Sequence, residues 1–136
     1  MRKLPALLST VVMAAGLISL STPSASAASS SGCEVDGSYG YWWGDWSSST
    51  ELDPLELHLY DTAADGHHPA IRLVTKTNGG SVKTWSWHHT YGGKGAADIW
   101  DTHASDPAGI AAVTVDVAIF EKDDWLVQDR CSWVYR

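Results

Sequence analysis

Apolar residues recur at every second position along much of this chain, and no stretch repeats them at the roughly 3.6-residue period of an amphipathic helix. The clearest run contains Val113, Val115, Val117 and Ile119. Turn sequences separate about six or seven such segments at the spacing typical of an antiparallel β-sandwich, with a small β-barrel as the alternative. The sequence therefore predicts an all-β fold.

The first residues have the features of an exported protein. Two basic residues precede an apolar run, and Ala25-Ser26-Ala27 forms the small-x-small pattern of a signal peptidase site. The run is too short and too early to serve as a membrane anchor. We therefore expect a secretory signal peptide over residues 1–27, a flexible lead-in over residues 28–32 and a single β domain over residues 33–136, secreted to the extracellular space.

The charge of the exported part limits its partners. The full chain has a formal net charge of −7, and its leader holds two basic and no acidic residues, which leaves −9 after cleavage. A negative field repels phosphate backbones and anionic lipid surfaces, so we expect no nucleic acid partner and no membrane anchor. An extracellular glycan or a basic protein is compatible with this charge. We expect a monomer without a cofactor.

The two cysteines lie at opposite ends of the predicted domain. An even pair of cysteines in an exported chain is typical of a disulfide, so Cys33 and Cys131 are expected to be bonded. The loop that this bond closes covers nearly the whole domain, and in the chain-entropy model such a loop contributes up to about 4.7 kcal/mol. The bond also implies that the first and last strands lie close together.

Residues 81–103 are the main candidate for a binding surface, because they hold three of the eight tryptophans and three of the six histidines. The glycines that follow Asn78 predict a hairpin with a two-residue primed turn. In that register Trp85 and Trp87 lie on one face together with Arg72 and Lys83. Tryptophan is largely buried on average, so this face is either core or an exposed strip that binds a ligand.

A second hairpin would extend this surface. A six-residue loop over residues 90–95 brings Trp100 opposite Trp85 and Asp98 opposite Trp87, which places three tryptophans on one surface. A slip of one residue would move Trp100 to the other face. We expect at least one of the three indoles to be open to solvent, because cations beside indoles indicate a wet surface with cation–π contacts.

The aromatic run over residues 39–46 is a second candidate. In a strand, Tyr41, Trp42 and Trp43 alternate between opposite faces, so one core cannot bury all three. Either Trp42 or the other two rings are therefore exposed or covered by a loop. In the alternative, the glycines of this run make it a folded loop whose rings close one end of the core.

The paired histidines His67-His68 and His88-His89 do not form a zinc signature. Adjacent residues of a strand face opposite ways, and the helical spacing of known zinc motifs is missing. The sequence predicts solvated histidines and no metal site.

The sequence also lacks a catalytic signature. Carboxylates such as Asp98 with Asp101, or Glu56 with Asp116, could serve as an acid and a base, but sixteen acidic residues give many such pairs by chance. Neither a Gly-x-Ser-x-Gly motif nor Walker spacing is present. We expect a protein that is not an enzyme.

The alanine- and serine-rich leader, the terminal cysteines and the run IRLVTKTNGGSVKTWSWHHTYGGKGAADIWDT resemble small secreted β proteins of actinobacteria. This resemblance covers most of the exported chain. It assigns a role to none of the residues.

The leading hypothesis is a secreted, non-catalytic binding module that stacks exposed indoles on a glycan or another flat ligand. The predicted ligand-binding residues are Trp85, Trp87, Trp100, Arg72, Lys83, Asp98, Trp42 and Trp43. The alternative is a secreted protein-interaction, inhibitory or cell-surface structural protein, in which the run over residues 39–46 contacts a basic partner.

Overall fold

The computed structural model describes residues 27–136. They form an all-β structure of ten strands: β1 (Ser29–Val35), β2 (Ser38–Ser48), β3 (Glu51–Asp61), β4 (His68–Lys76), β5 (Val82–Thr84), β6 (His88–His89), β7 (Ala97–Ser105), β8 (Ala112–Glu121), β9 (Asp124–Arg130) and β10 (Val134–Tyr135). Except for its last residue, the predicted signal peptide lies outside the described residues.

The strands form two antiparallel sheets. Sheet A has the order β1-β2-β3-β7. Sheet B is built around β4 and β8: β5 and β6 pair with the free edge of β4, and β9 and β10 pair with the other edge of β8. The all-β, sandwich-like prediction is therefore confirmed.

The core lies between the two sheets. The leucines of β3 pack against β4, the inward-facing branched residues of β8 pack against β1 and β2, and Trp42 belongs to the same buried cluster. The largest fully buried side chains include Leu52, Leu55, Leu57, Leu59, Ile71, Val113, Val115 and Val117. Strand β8 is buried on both faces along almost its whole length, as expected for a central strand.

The disulfide pairing predicted from the sequence is present. Cys33 of β1 is bonded to Cys131, which follows β9, and their Cα atoms are 5.3 Å apart. The first strand therefore lies beside the last strands of the chain.

The register of the hairpin between β4 and β5 differs from the predicted one by one residue. Lys76 pairs with Val82, and Thr77 N donates to Ser81 O at 2.9 Å, so the loop has three residues, 78–80, instead of two. This shift turns Trp85 towards the core, where its Nε1 donates a hydrogen bond to Thr75 Oγ1 at 3.1 Å. A different loop length thus moves this indole to the inner face.

A bulge follows between β5 and β6. Val74 pairs with Thr84, but Ile71 pairs with His88, so residues 85–87 contain one residue more than the facing strand. The extra residue reverses the alternation, and the second tryptophan of this segment points to the outer face of sheet B. The prediction that both tryptophans share one face is therefore wrong.

Strand β7 does not form a hairpin with β6. The segment over residues 90–95 crosses to the other sheet, where Trp100 pairs with Leu57 of β3. The Trp100 ring is half-buried at the open edge of the sandwich, with its centroid 5.1 Å from that of His88. The predicted cross-strand pair of Trp100 and Trp85 is therefore wrong.

The aromatic run over residues 39–46 lies in strand β2, not in a loop. Trp42 is 0% exposed, whereas Trp43 is 38% exposed on the outer face of sheet A. Of the two arrangements possible for a strand, the one with Trp42 inside is confirmed. The prediction of Trp42 as a ligand-binding residue is wrong, because a fully buried ring cannot reach a ligand.

Candidate ligand-binding site

The eight residues predicted to bind a ligand do not form one surface. Lys83 and Trp85 lie together at the edge of the sandwich, with Lys83 Nζ 4.0 Å from the indole centroid. Asp98 accepts a hydrogen bond from Thr90 Oγ1 at 2.8 Å. The bulge and the change of sheet separate Trp100 and these residues from Trp87.

Two of the predicted residues, Arg72 and Trp87, do come together in an open cleft on the outer face of sheet B. The Arg72 Cζ atom lies 4.4 Å from the Trp87 ring centroid, within range of a cation–π contact. The cleft has a volume of about 370 Å³. We call it the Trp87 cleft and define it by its lining residues Arg72, Trp87, Phe120, Asp123, Asp124 and Trp125.

The aromatic walls of the Trp87 cleft support one another. The Trp87 ring meets Phe120 edge-on at 5.4 Å and Trp125 edge-on at 6.4 Å between centroids. Edge-to-face pairs of this kind are favourable arrangements of aromatic rings. Trp87 is held by packing on several sides, whereas Trp125 is 55% exposed and free to contact a ligand.

Arg72 is held in place by a buried carboxylate. Its Nε donates to Asp116 Oδ2 at 2.9 Å, and Arg130 Nε donates to Asp116 Oδ1 at 2.7 Å. Asp116 is fully buried, so its charge requires these partners. The hydrogen bond that Arg130 donates to Asp116 raises the pKa of the Arg130 guanidinium above its ordinary value. Asp116 therefore positions Arg72 over the indole and does not itself line the cleft.

Sequence analysis missed four of the residues that line the cleft, Phe120, Asp123, Asp124 and Trp125, and Trp125 is the most exposed aromatic residue among them. Regular alternation from residue 125 to residue 135 would place it on the same face as Cys131. A bulge in β9 changes this, because Phe120 pairs with Trp125 while Ile119 pairs with Val127. Trp125 therefore shares the outer face with Phe120. The acidic turn before Trp125 indicates where β9 begins. The alternation of side chains does not indicate the bulge, so it could not place Trp125 on the outer face.

The rim of the Trp87 cleft is acidic. Asp123 and Asp124 are exposed in the turn that joins β8 to β9, where Lys122 takes a left-handed φ of 55°. Carboxylates accept charge-assisted hydrogen bonds from hydroxyl groups, and the guanidinium on the other side donates them. The cleft can thus orient a polar ligand whose flat apolar face packs on the indoles.

His68 and His89, one from each histidine pair, contact each other on the outer face of sheet B. The nitrogens His68 Nε2 and His89 Nδ1 are 3.2 Å apart. Burial lowers the pKa of both side chains, and the neighbouring Asp123 carboxylate partly opposes this effect. Within residues 27–136, no group of three or more His, Cys, Asp or Glu side chains is arranged to hold a metal ion.

One of the carboxylate pairs considered in the sequence, Glu56 with Asp116, does not meet at a site. Glu56 lies on the outer face of sheet A, where its Oε2 is 2.8 Å from His58 Nε2, whereas Asp116 lies on sheet B and bonds two arginines. The pair of Glu56 and Asp116 is therefore separated by the whole sandwich.

A second aromatic surface lies on the outer face of sheet A. Tyr41 stacks on His58 at 4.3 Å with an interplanar angle of 10°, and on Tyr60 at 6.4 Å with an angle of 13°. Burial and the neighbouring Tyr60 raise the pKa of Tyr41. We call this surface the aromatic face and define it by Tyr39, Tyr41, Trp43, His58 and Tyr60, which occupy adjacent outer positions of β2 and β3.

Comparison with protein-family models, with curated proteins and with solved structures finds no match for this chain. In the part of the chain that the structure describes, no helix has the length and hydropathy needed to cross a membrane.

Proposed function

We propose that this protein is an exported, non-catalytic binding module and that its Trp87 cleft binds a glycan. The observation that carries the proposal is the convergence of two indoles, Trp87 and Trp125, with a guanidinium and two carboxylates in one open cleft. These groups come from three separate segments of the chain, and two bulges bring the indoles to the same face.

The chemistry of a sugar ring fits this set of groups. A pyranose has C–H groups on its flat faces, which pack on indole rings, and hydroxyls around its edge, which bond with carboxylates and guanidinium groups. The arginine is already oriented by Asp116 at 2.9 Å, so little side-chain entropy is lost when a ligand binds.

Export is part of this proposal. The leader pattern of residues 1–27 supports it, and the disulfide between Cys33 and Cys131 is compatible with an oxidising compartment outside the cell. Polymeric glycans occur in that compartment, whereas the acidic charge disfavours nucleic acid as the ligand.

The test is retention of the secreted protein on insoluble polysaccharides such as cellulose, chitin and xylan. We expect Trp125→Ala to weaken retention at least about tenfold, because an exposed aromatic anchor is replaced by a methyl group. The folding stability of this variant should stay within about 0.5 kcal/mol of the wild type. Retention should not depend on salt, since no ion pair with a neutral glycan is involved.

Trp43→Ala is the matched control, because it removes a partly exposed indole from the opposite side of the sandwich. It should leave retention unchanged. Retention that is the same for the wild type and Trp125→Ala, or no retention on any polysaccharide of the panel, would contradict the proposal.

A further inference from the structure

The charges of the described residues are divided unequally between the two sheets. The strands of sheet A contain no Lys or Arg, but they contain the eight acidic residues Glu34, Asp45, Glu51, Asp53, Glu56, Asp61, Asp98 and Asp101. The strands of sheet B contain four acidic and four basic residues. The strands of sheet A therefore carry a formal charge of −8 and those of sheet B none. Asp61 is buried and Asp98 lies opposite the inward-facing Leu59, so these two add little to the outer side of sheet A.

The negative side also exposes apolar rings. On the aromatic face, Tyr39 is 42% exposed, and Ile99 of β7, which lies opposite His58, is 56% exposed. The Tyr39 and Tyr41 centroids are 5.8 Å apart, so the rings form a continuous row along β2. Contiguous exposed aromatic groups on a folded protein are typical of an interaction surface.

Carboxylates flank this row at fixed positions. Glu34 of β1 lies opposite Tyr39, and Glu56 of β3 lies opposite Trp43. Asp101 of β7 lies opposite Glu56 in turn. Directly opposite residues on one face of a sheet have Cβ atoms roughly 4.5 to 5.5 Å apart, so Glu34 and Glu56 lie within reach of a group stacked on Tyr39 or Trp43, and Asp101 adds a second charge beside Glu56.

We propose that the aromatic face binds a protein segment that presents arginine side chains. A guanidinium stacks on a tyrosine or tryptophan ring and at the same time donates paired hydrogen bonds to a carboxylate, and the aromatic face offers both groups side by side. No cation of the sheet A strands competes for these rings. A second copy of this chain is disfavoured as the occupant, because two aromatic faces would bring like charges together.

This inference does not depend on glycan binding, since the Trp87 cleft lies on the other side of the sandwich. The probes are three fluorescently labelled nonapeptides, one of arginine, one of lysine and one of glutamate, and binding is followed by fluorescence anisotropy. The arginine peptide should bind more tightly than the lysine peptide, because only the guanidinium is planar and can stack. The glutamate peptide should not bind.

Two variants locate the site. Trp43→Ala should weaken binding of the arginine peptide at least about tenfold. The triple variant Glu34→Gln, Glu56→Gln and Asp101→Asn should weaken binding of the arginine peptide more than Trp43→Ala does. Its binding should also depend less on salt concentration. Both change outer positions, and circular dichroism checks that each variant is folded.

The matched controls carry the same changes on sheet B. The first control, Trp125→Ala, removes an exposed indole. The second is the triple variant Glu121→Gln, Asp124→Asn and Asp129→Asn, which removes three charges. Both controls should bind the arginine peptide as the wild type does. Equal weakening by the two triple variants would mean that only the overall charge matters, and the proposal would fail. It would also fail if the aromatic face joined two copies of the chain in solution or bound a glucosamine oligomer more tightly than the arginine peptide.

Discussion

Trp42 and Trp43 are neighbours in the sequence and lie in opposite environments. Trp42→Ala should lower the free energy of unfolding by about 3 to 5 kcal/mol, because it leaves a cavity between the sheets. Trp43→Ala should change it by no more than about 0.5 kcal/mol, since the ring is on the outer face. Urea denaturation measures both values. Similar losses for the two variants would contradict the assignment of faces.

The sequence predicted that the rings around Trp42 alternate, but not which of them lies inside. The close approach of the facing sheet determines which ring is buried. A Cβ atom added at Gly40 would lie 2.7 Å from Val117 Cγ2 and 3.1 Å from Ile71 Cδ1, so glycine is needed on the inner face beside Trp42. A close approach between sheets depends on residues far apart in the chain, and the local pattern of aromatic residues does not contain it.

The contact between His68 and His89 predicts a dependence of stability on pH. Burial lowers the pKa of both imidazoles, so the folded protein binds fewer protons than the unfolded chain. This stabilisation is complete above the ordinary pKa of about 6.5 and is lost as the pH falls below it. The free energy of unfolding should therefore decrease from about pH 7 to about pH 5.

Denaturation at several pH values tests this expectation. His89→Gln should flatten the dependence in that range, whereas His103→Gln, a change at an exposed position of β7, should leave it as in the wild type. If the free energy of unfolding of His89→Gln varied with pH as in the wild type, other groups would cause the pH dependence.

At the level of strands, the position of the β4–β5 hairpin was predicted correctly and its loop length was not. The glycines after Asn78 mark the turn, but the loop over residues 78–80 is one residue longer than the primed turn they suggest. Because the side-chain period of a strand is two, this difference was enough to move Trp85 from the outer to the inner face.

The bulge that separates the two tryptophans can be tested directly. Deleting Ser86 leaves a single residue between Trp85 and His88, which matches the facing strand, so β5 and β6 should join into one continuous strand. Trp87 should stay opposite Arg72. Amide hydrogen exchange should slow in this segment, because new backbone hydrogen bonds form.

Ser86→Ala is the control, because it keeps the extra residue and should leave exchange unchanged. Faster exchange after deletion of Ser86, or loss of the nuclear Overhauser contacts between Arg72 and Trp87, would mean that the extra residue is needed to place the indole.

At the level of the whole molecule, the sequence was sufficient for the fold class and the disulfide, but the expected six or seven strands are ten in the structure. It was not sufficient for the path of β7, because consecutive strands more often pair with each other than cross to another sheet. The candidate site was predicted in part: Arg72 and Trp87 lie together as expected, while the bulge that brings Trp125 to them has no pattern in the local sequence.

The bond between Cys33 and Cys131 also determines how the molecule responds to mechanical force. The two cysteines are 98 positions apart, so nearly all the described residues lie inside one covalent loop. Tension applied between the two ends of the described chain would pass through the sulfur–sulfur bond and could detach only the segments outside the loop, residues 27–32 and 132–136, which include the start of β1 and the short β10. The rest of both sheets would stay folded under a load that pulls an unlinked sandwich apart, and a single cut inside the loop would release no fragment.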